Sequence, residues 1–258
     1  MTNKIEITLV IPCYNEAANI QKGVLDKIGN FTNKDPRFRE VIIVDDGSTD
    51  SSRDLIVAYL KEYPQMQLIK NNHTGKAIAV ITGIRKATSS YVMFSDIDLA
   101  TPLEETDKLL EEIKNGYDVV IGSRNTHREG APILRKIQSV GFIVIRDILI
   151  GLKGIRDTQC GFKIFKQEAG IKIIDNLQVF TKKTHVNGSS VSAGFDLEFL
   201  FLAKKLGYKI KEVPVTWRHV ENKSVAFIKD SIETVKDILR IKYYDLRGKY
   251  DIKSERKS

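Results

Sequence analysis

Short aliphatic and β-branched runs, each closed by a cluster of polar residues, recur along the first half of the chain. Ile7-Thr8-Leu9-Val10-Ile11, ended by Pro12, reads as a buried strand, and Val41-Ile42-Ile43-Val44, ended by Asp45-Asp46-Gly47, as a second. Residues 67–70, 91–94 and 118–122 supply a third, fourth and fifth strand. Helical patterns fall between them, at 17–28, from a cap at Ser48 or Asp50 to Leu60, and at 74–85. Thr101-Pro102-Leu103-Glu104 has the form of a capping box with proline at the first helical position. It predicts a helix running to Lys114, with Gly116 as its stop. The second half is less regular: helices are predicted over 132–152, 196–206 and 225–243, strands over 160–165 and 209–215, and a disordered tail over 249–258.

Repeated strand–helix order predicts an α/β fold, an open, mostly parallel twisted sheet with helices on both faces. Ligands of such sheets bind beyond the carboxyl ends of the strands. Four polar clusters stand there: Tyr14-Asn15-Glu16, Asp45-Asp46-Gly47-Ser48, Asp96-Ile97-Asp98 and Ser123-Arg124. One polar loop means little; four in succession point to a site.

Composition narrows the class. The 258 residues are 42% apolar and 29% charged, enough for one large domain with a sizeable core. Two cysteines, Cys13 and Cys160, make no disulfide framework and suit a reducing compartment. Residues 1–6 lack the apolar stretch of a secretory signal, and the longest apolar run, 140–152, is interrupted by Arg146 and Asp147. Spanning a bilayer takes about 20 apolar residues, so the chain is expected to be soluble or to lie on a surface. The net charge of +8 is uneven: residues 1–123 carry 14 Lys/Arg against 18 Asp/Glu, whereas 124–166 carry 9 against 3 and 236–258 carry 8 against 4. The basic runs are either solvated helix faces or a surface for phosphate or acidic lipid. Nucleic acid is disfavoured, because no stacking aromatics interleave with them.

Two carboxylates flanking one apolar residue, Asp96 and Asp98, can bind a hard cation such as Mg²⁺ or Mn²⁺, which in turn clamps a diphosphate. Asp45 and Asp46 could accept hydrogen bonds from a base or ribose, while Ser48 or Asp50 caps the next helix. Lys76, after Gly75, either starts a helix or meets a phosphate. Arg124 follows a strand, and Arg135 and Ser139 lie one turn apart on a predicted helix. They are surface residues or a phosphate cradle, a task the planar guanidinium suits. His219, beside Trp217 and Arg218, is structural or catalytic. No Ser-His-Asp or Cys-His set, Walker A motif or Gly-x-Gly-x-x-Gly pattern is evident.

Ile11-Pro12-Cys13-Tyr14-Asn15-Glu16, Val44-Asp45-Asp46-Gly47-Ser48-Thr49-Asp50 and Asp96-Ile97-Asp98 together resemble the inverting family 2 glycosyltransferases of the GT-A fold. Gly122-Ser123-Arg124, the stretch Asp157-Thr158-Gln159-Cys160-Gly161-Phe162-Lys163 and Phe195-Asp196-Leu197-Glu198 look like the branch that glycosylates dolichyl phosphate, nearer its glucosyltransferases than its mannose synthases. The resemblance covers residues 5–245. It implies that Pro12, Tyr14, Glu16 and Asp46 hold base and ribose, and that Asp96, Ile97 and Asp98, with Lys76, hold metal and sugar diphosphate. It also implies that Gln159 shapes the sugar or acceptor pocket. Arg124, Arg135 and Ser139 would hold the acceptor phosphate. Asp98, Arg124 and Asp157 are the expected catalytic residues, Asp157 as a catalytic or positioning carboxylate.

The implied reaction moves a hexose, glucose from UDP-glucose, onto a polyprenyl phosphate. Alternatives are a GDP-mannose donor, a saccharide acceptor, or a non-catalytic nucleotide-sugar-binding protein. Eukaryotic relatives carry an N-terminal span and many bacterial ones C-terminal spans. No such span is evident here, so the expected location is cytoplasmic, peripheral on a membrane's cytoplasmic face. Residues 1–222 would form the catalytic domain and 223–258 a basic, membrane-facing helix and tail; 132–152 is a second candidate for that surface.

Overall fold

The structure, a computed structural model, describes residues 4–124, 133–180, 193–218 and 227–251, with the side chains of 133–140, 193 and 227–231 outside that description. The strands are β1 (Ile7–Cys13), β2 (Phe38–Asp45), β3 (Met66–Lys70), β4 (Tyr91–Ser95), β5 (Val119–Arg124), β6 (Phe162–Lys166) and β7 (Ile210–Val215). They form one seven-stranded sheet in the order β3-β2-β1-β4-β6-β5-β7. Only β6 runs antiparallel to its neighbours. The chain moves outward from β1 to β2 and β3, then crosses back to place β4 on the other side of β1. Such a reversal opens a crevice at the carboxyl edge, here between the ends of β1 and β4.

Both faces of the sheet are covered, which is why the strands read as continuous apolar runs rather than alternating ones. Leu9, Ile11, Val41, Ile43, Met93 and Val120 point to one side, against α2 (Val24–Lys34), α3 (Ser52–Tyr59) and α5 (Thr106–Lys114). Val10, Ile42, Val44, Phe94 and Ile121 point to the other, under α4 (Lys76–Lys86), α7 (Gln167–Asp175), α8 (Ala193–Lys205) and α9 (Phe227–Leu246). A short α1 (Ala17–Gln21) follows β1, and α6 (Ile133–Ile150) packs on α9. No helix among the described residues is long and apolar enough to cross a membrane.

Several local expectations are corrected. The helix expected over 17–28 is two helices, because Gly23 takes a left-handed conformation (φ 77°) and closes α1 before α2 begins. The capping box at Thr101 does not start a helix; a 3₁₀ turn at Leu103–Glu105 intervenes, and the Thr106 hydroxyl donates to the Leu103 carbonyl at 2.6 Å. Helix α7 was not expected, since it follows β6 with no turn residue between them. The presumed tail is partly core. Tyr250 is buried and donates its hydroxyl to Glu198 at 2.6 Å, while 252–258 lie outside the described residues.

Candidate active site

Beyond β4 the chain makes a tight turn. Leu99 N–H donates to the Asp96 carbonyl at 3.2 Å, and Leu99 is left-handed (φ 51°), a conformation non-glycine residues rarely adopt. The Ile97 side chain is buried in the core and anchors the turn from beneath, so only its backbone is left to face a ligand. The Asp98 carboxylate accepts from Ala100 N–H at 3.0 Å. The Asp96 carboxylate is half-exposed and pairs with the Lys76 ammonium, delivered from the start of α4. Burial opposes the Lys76 charge, but Asp96 and then Asp196 and Asp98 outweigh it and hold the ammonium above its usual pKa.

These carboxylates fit a hard divalent cation. A Cβ on Gly161 would stand 2.2 Å from Asp96 Oδ2, so glycine alone leaves the carboxylate its cradle. Among the described residues no three His, Cys, Asp or Glu side chains converge into a closed cage. An open two-carboxylate site is the form taken by octahedral ions that complete their shell with phosphate oxygens and water.

The end of β1 is laced to the loop after β2. Asn15, also left-handed (φ 53°), accepts Thr49 N–H on its side chain at 2.8 Å, and Ser48 Oγ accepts Asn15 N–H at 3.0 Å. Asp50 receives Ala17 N–H and Ser52 N–H, the latter at the start of α3, at 3.2 and 2.9 Å. Glu16 sits at the start of α1 and accepts from the Asn19 amide at 2.6 Å. Pro12 is buried within β1 opposite Val44. Asp45 is fully buried and its Oδ2 accepts two Arg53 guanidinium N–H groups at 2.8 and 2.6 Å, a structural role. The Asp46 carboxylate is also buried and turned inward, receiving Thr74 N–H at 3.1 Å, Gly75 N–H at 2.7 Å and His73 Nδ1 at 3.1 Å. It thereby shapes the loop before α4, and the His73 ring stacks on Tyr14 with centroids 4.0 Å apart.

Across the crevice, Arg124 leaves β5 and grips Asp157 with Nε at 2.7 Å, a terminal nitrogen at 2.8 Å and its backbone N–H at 3.0 Å. Burial works against the Asp157 charge, yet the Arg124 hydrogen bonds and charge outweigh it and hold the carboxyl below the ordinary range. Both Asp157 oxygens are thus engaged by Arg124, and the carboxylate fixes the direction of the guanidinium. Trp217 lies beside Arg124, 6.0 Å from ring centroid to guanidinium carbon. Asp96, Thr101, Arg124, Gln159, Gly161 and Trp217 line one open pocket, so the acidic turn and the arginine face the same space. Burial pushes the Cys160 thiol up to about 11, which keeps it protonated and inert.

Three participants escaped the sequence reading. His73 follows β3 and Trp217 follows β7, so the strand-end rule could have found both. Lys163 interrupts the apolar run Phe162–Phe165, a pattern that demands a buried partner. Fully buried over the Phe94 ring, it donates to Asp196 at 2.8 Å and to the Cys160 carbonyl. The charges alternate from Lys163 through Asp196 and Lys76 to Asp96, running from α8 to the acidic turn after β4. Arg135 and Ser139 fall on the first turns of α6, where side chains lie outside the described residues, and His219 lies outside them altogether.

An α/β sheet with an acidic turn, a stacked tyrosine and a clamped arginine at its carboxyl edge defines a nucleotide-sugar transferase of the GT-A class. The chain belongs to Glycosyl transferase family 2, whose sequence model matches residues 8–173. It is 33% identical to a dolichyl-phosphate beta-glucosyltransferase of Dictyostelium discoideum, over 98% of this chain and 78% of the relative. The corresponding Saccharomyces cerevisiae protein is 32% identical over 96% and 77% of the two chains. Among solved structures, glucosyl-3-phosphoglycerate synthase from Mycobacterium tuberculosis in complex with Mn²⁺, uridine diphosphate and phosphoglyceric acid superposes with a TM-score of 0.66. It is 18% identical and covers 92% of this chain and 78% of its own, a likeness of fold.

Proposed function

We propose that the chain transfers glucose from UDP-glucose to a polyprenyl phosphate of the dolichyl type, with inversion at the anomeric carbon. The carrying observation is the pocket lined by both Asp96 and Arg124, which sets a cation-binding turn opposite a positioned guanidinium. The names of the relatives support the sugar and the lipid, and the Mn²⁺ and uridine diphosphate of the structural neighbour support the donor side. Tyr14, Glu16 and Pro12 bind base and ribose on the shelf that Asp46 and His73 support, and Lys76 meets the diphosphate. Gln159 borders the sugar.

Asp96 and Asp98 would hold a divalent cation, Mg²⁺ or Mn²⁺, which when bound would supply charge neutralisation for the departing diphosphate. Arg124, together with Arg135 and Ser139 from α6, holds the acceptor phosphate. An acceptor oxygen already ionised at neutral pH forms the new bond to the anomeric carbon, and the bond to the nucleoside diphosphate breaks. No proton is transferred, so the site needs no general base; this accords with Asp157 being engaged by Arg124. Because the acceptor resides in a bilayer, the chain works peripherally on a membrane surface, facing the cytoplasm.

A donor screen tests this, using purified protein, Mn²⁺ or Mg²⁺ and a short, water-soluble polyprenyl phosphate, with released nucleotide as the readout. UDP release from UDP-glucose that requires both acceptor and metal is the expected result. Faster release from GDP-mannose would shift the assignment to mannose, and release independent of the phosphate acceptor would remove the lipid.

A further inference from the structure

Trp217 is the only tryptophan of the sequence, and it stands 41% exposed just beyond the end of β7. A ring this large loses burial energy wherever it faces water. Its backbone is nevertheless fixed on both sides. Strand β7 pairs in parallel with β5, Val215 opposite Arg124, so the ring follows two residues beyond the arginine's partner. Thr216 hydrogen-bonds the Glu105 carboxylate. Arg218 N–H donates to the Ala100 carbonyl at 2.8 Å, and Ala100 N–H donates to Asp98 at 3.0 Å. The tryptophan is thereby tied to the acidic turn while its ring lies 6.0 Å from the Arg124 guanidinium carbon. Asp96, Arg124, Gln159 and Trp217 line one pocket.

We propose that Trp217 is the platform on which the donor hexose packs, and that it selects glucose over the C2 and C4 epimers. The inference rests on the donor and acceptor sides assigned above. In an inverting displacement the attacking and leaving oxygens lie on opposite faces of the sugar. With the diphosphate leaving at the acidic turn and the acceptor held at Arg124, the group that fills their shared pocket is the hexose. The diphosphate of UDP-glucose is axial on one face of the ring, and the acceptor approaches the other. Trp217 neighbours the acceptor-side arginine, so the indole meets that second face, where glucose presents axial hydrogens at C2 and C4. Such C–H groups suit the negative face of an aromatic ring. Mannose carries an axial hydroxyl at C2 and galactose one at C4. Either would press a hydroxyl against the indole, stripped of water and without a hydrogen-bond partner.

The test titrates the full chain with Mg²⁺ and no acceptor, using its single tryptophan as the fluorophore. UDP-glucose should shift the emission to shorter wavelength, UDP should leave it unchanged, and UDP-galactose should bind no more tightly than UDP. Trp217→Leu, titrated by calorimetry, should keep wild-type affinity for UDP, which also shows that it folds. It should bind UDP-glucose about tenfold more weakly, the scale of discrimination an apolar contact supplies, and no longer distinguish UDP-glucose from UDP-galactose. Trp217→Phe should retain most of the preference. An equal emission response to UDP and UDP-glucose would overturn the proposal, as would Trp217→Leu with wild-type affinity and preference. Tighter binding of GDP-mannose by wild type would overturn both the platform's selectivity and the glucose assignment. A shift specific to UDP-glucose, without UDP release on adding the short polyprenyl phosphate, would sink the acceptor assignment and uphold the platform.

Discussion

Asp96 and Asp98 reach the crevice because Ile97 between them is drawn into the core and the left-handed Leu99 closes the turn. Replacing either carboxylate by the isosteric amide removes a charge while keeping shape. Asp96→Asn and Asp98→Asn are each expected to lower kcat/KM by about 100-fold or more, the scale of losing one preorganised electrostatic contact. Metal-dependent donor binding should vanish and thermal stability should hold; full activity in either would exclude the metal turn. Gly161 makes the complementary case. Its missing Cβ is the space in which the Asp96 carboxylate stands. Gly161→Ala should displace that carboxylate by roughly an ångström and reduce turnover by about 100-fold, with KM for a soluble acceptor little changed. Steady-state kinetics checks both values. Sequence alone announced Asp96 and Asp98 by type and position. It could not announce Gly161, whose relevance is a distance across two strands.

Between elements, the fork from Arg124 on β5 to Asp157 holds the 151–161 loop against the sheet. Asp157→Asn keeps a hydrogen-bond acceptor but frees the guanidinium to swing. The acceptor KM is then expected to rise by about 10- to 100-fold, since hydrogen bonds to charged groups are worth about 1.5–3 kcal/mol, while the donor KM stays near wild type. Equal effects on both substrates would place Arg124 elsewhere. The sign of the pH effect follows from the lowered Asp157 pKa. A carboxylate held below its unfolded value, about 4, contributes stability that is fully present above that value and lost as pH falls through the lowered one. Below about pH 4 the stability of Asp157→Asn should therefore fall less steeply than that of wild type, as acid unfolding would record. Strand and helix order was legible in the first half, where apolar runs and turn residues alternate. It was less so after residue 124, because α7 follows β6 directly and α6 and α9 expose apolar residues that pattern reading assigns to the core.

Across the whole molecule, Glu198 joins parts distant in sequence. Fully buried in α8, it accepts N–H bonds from Gln178, Val179 and Phe180 at 2.6, 2.9 and 3.1 Å, and the Tyr250 hydroxyl. Glu198→Ala would strand the buried Tyr250 hydroxyl and three partly buried N–H donors and should destabilise the fold by about 3 kcal/mol or more, measurable as a lowered urea midpoint. Tyr250→Phe removes one donor and should cost far less. The same contact makes the segment around Tyr250 part of the core. By itself the sequence determined the strand–helix alternation, the acidic turn after β4 and the arginine after β5, because these depend on residue type and on periods of two and 3.6. Tertiary structure alone decided that Asp46 serves the loop before α4, that Asp157 serves Arg124, that Lys163 sits beneath Asp196, and which helix faces remain uncovered. Each of those depends on which side chains meet across the sheet, and local pattern carries no record of partners brought together only by the crossing of β4 beside β1.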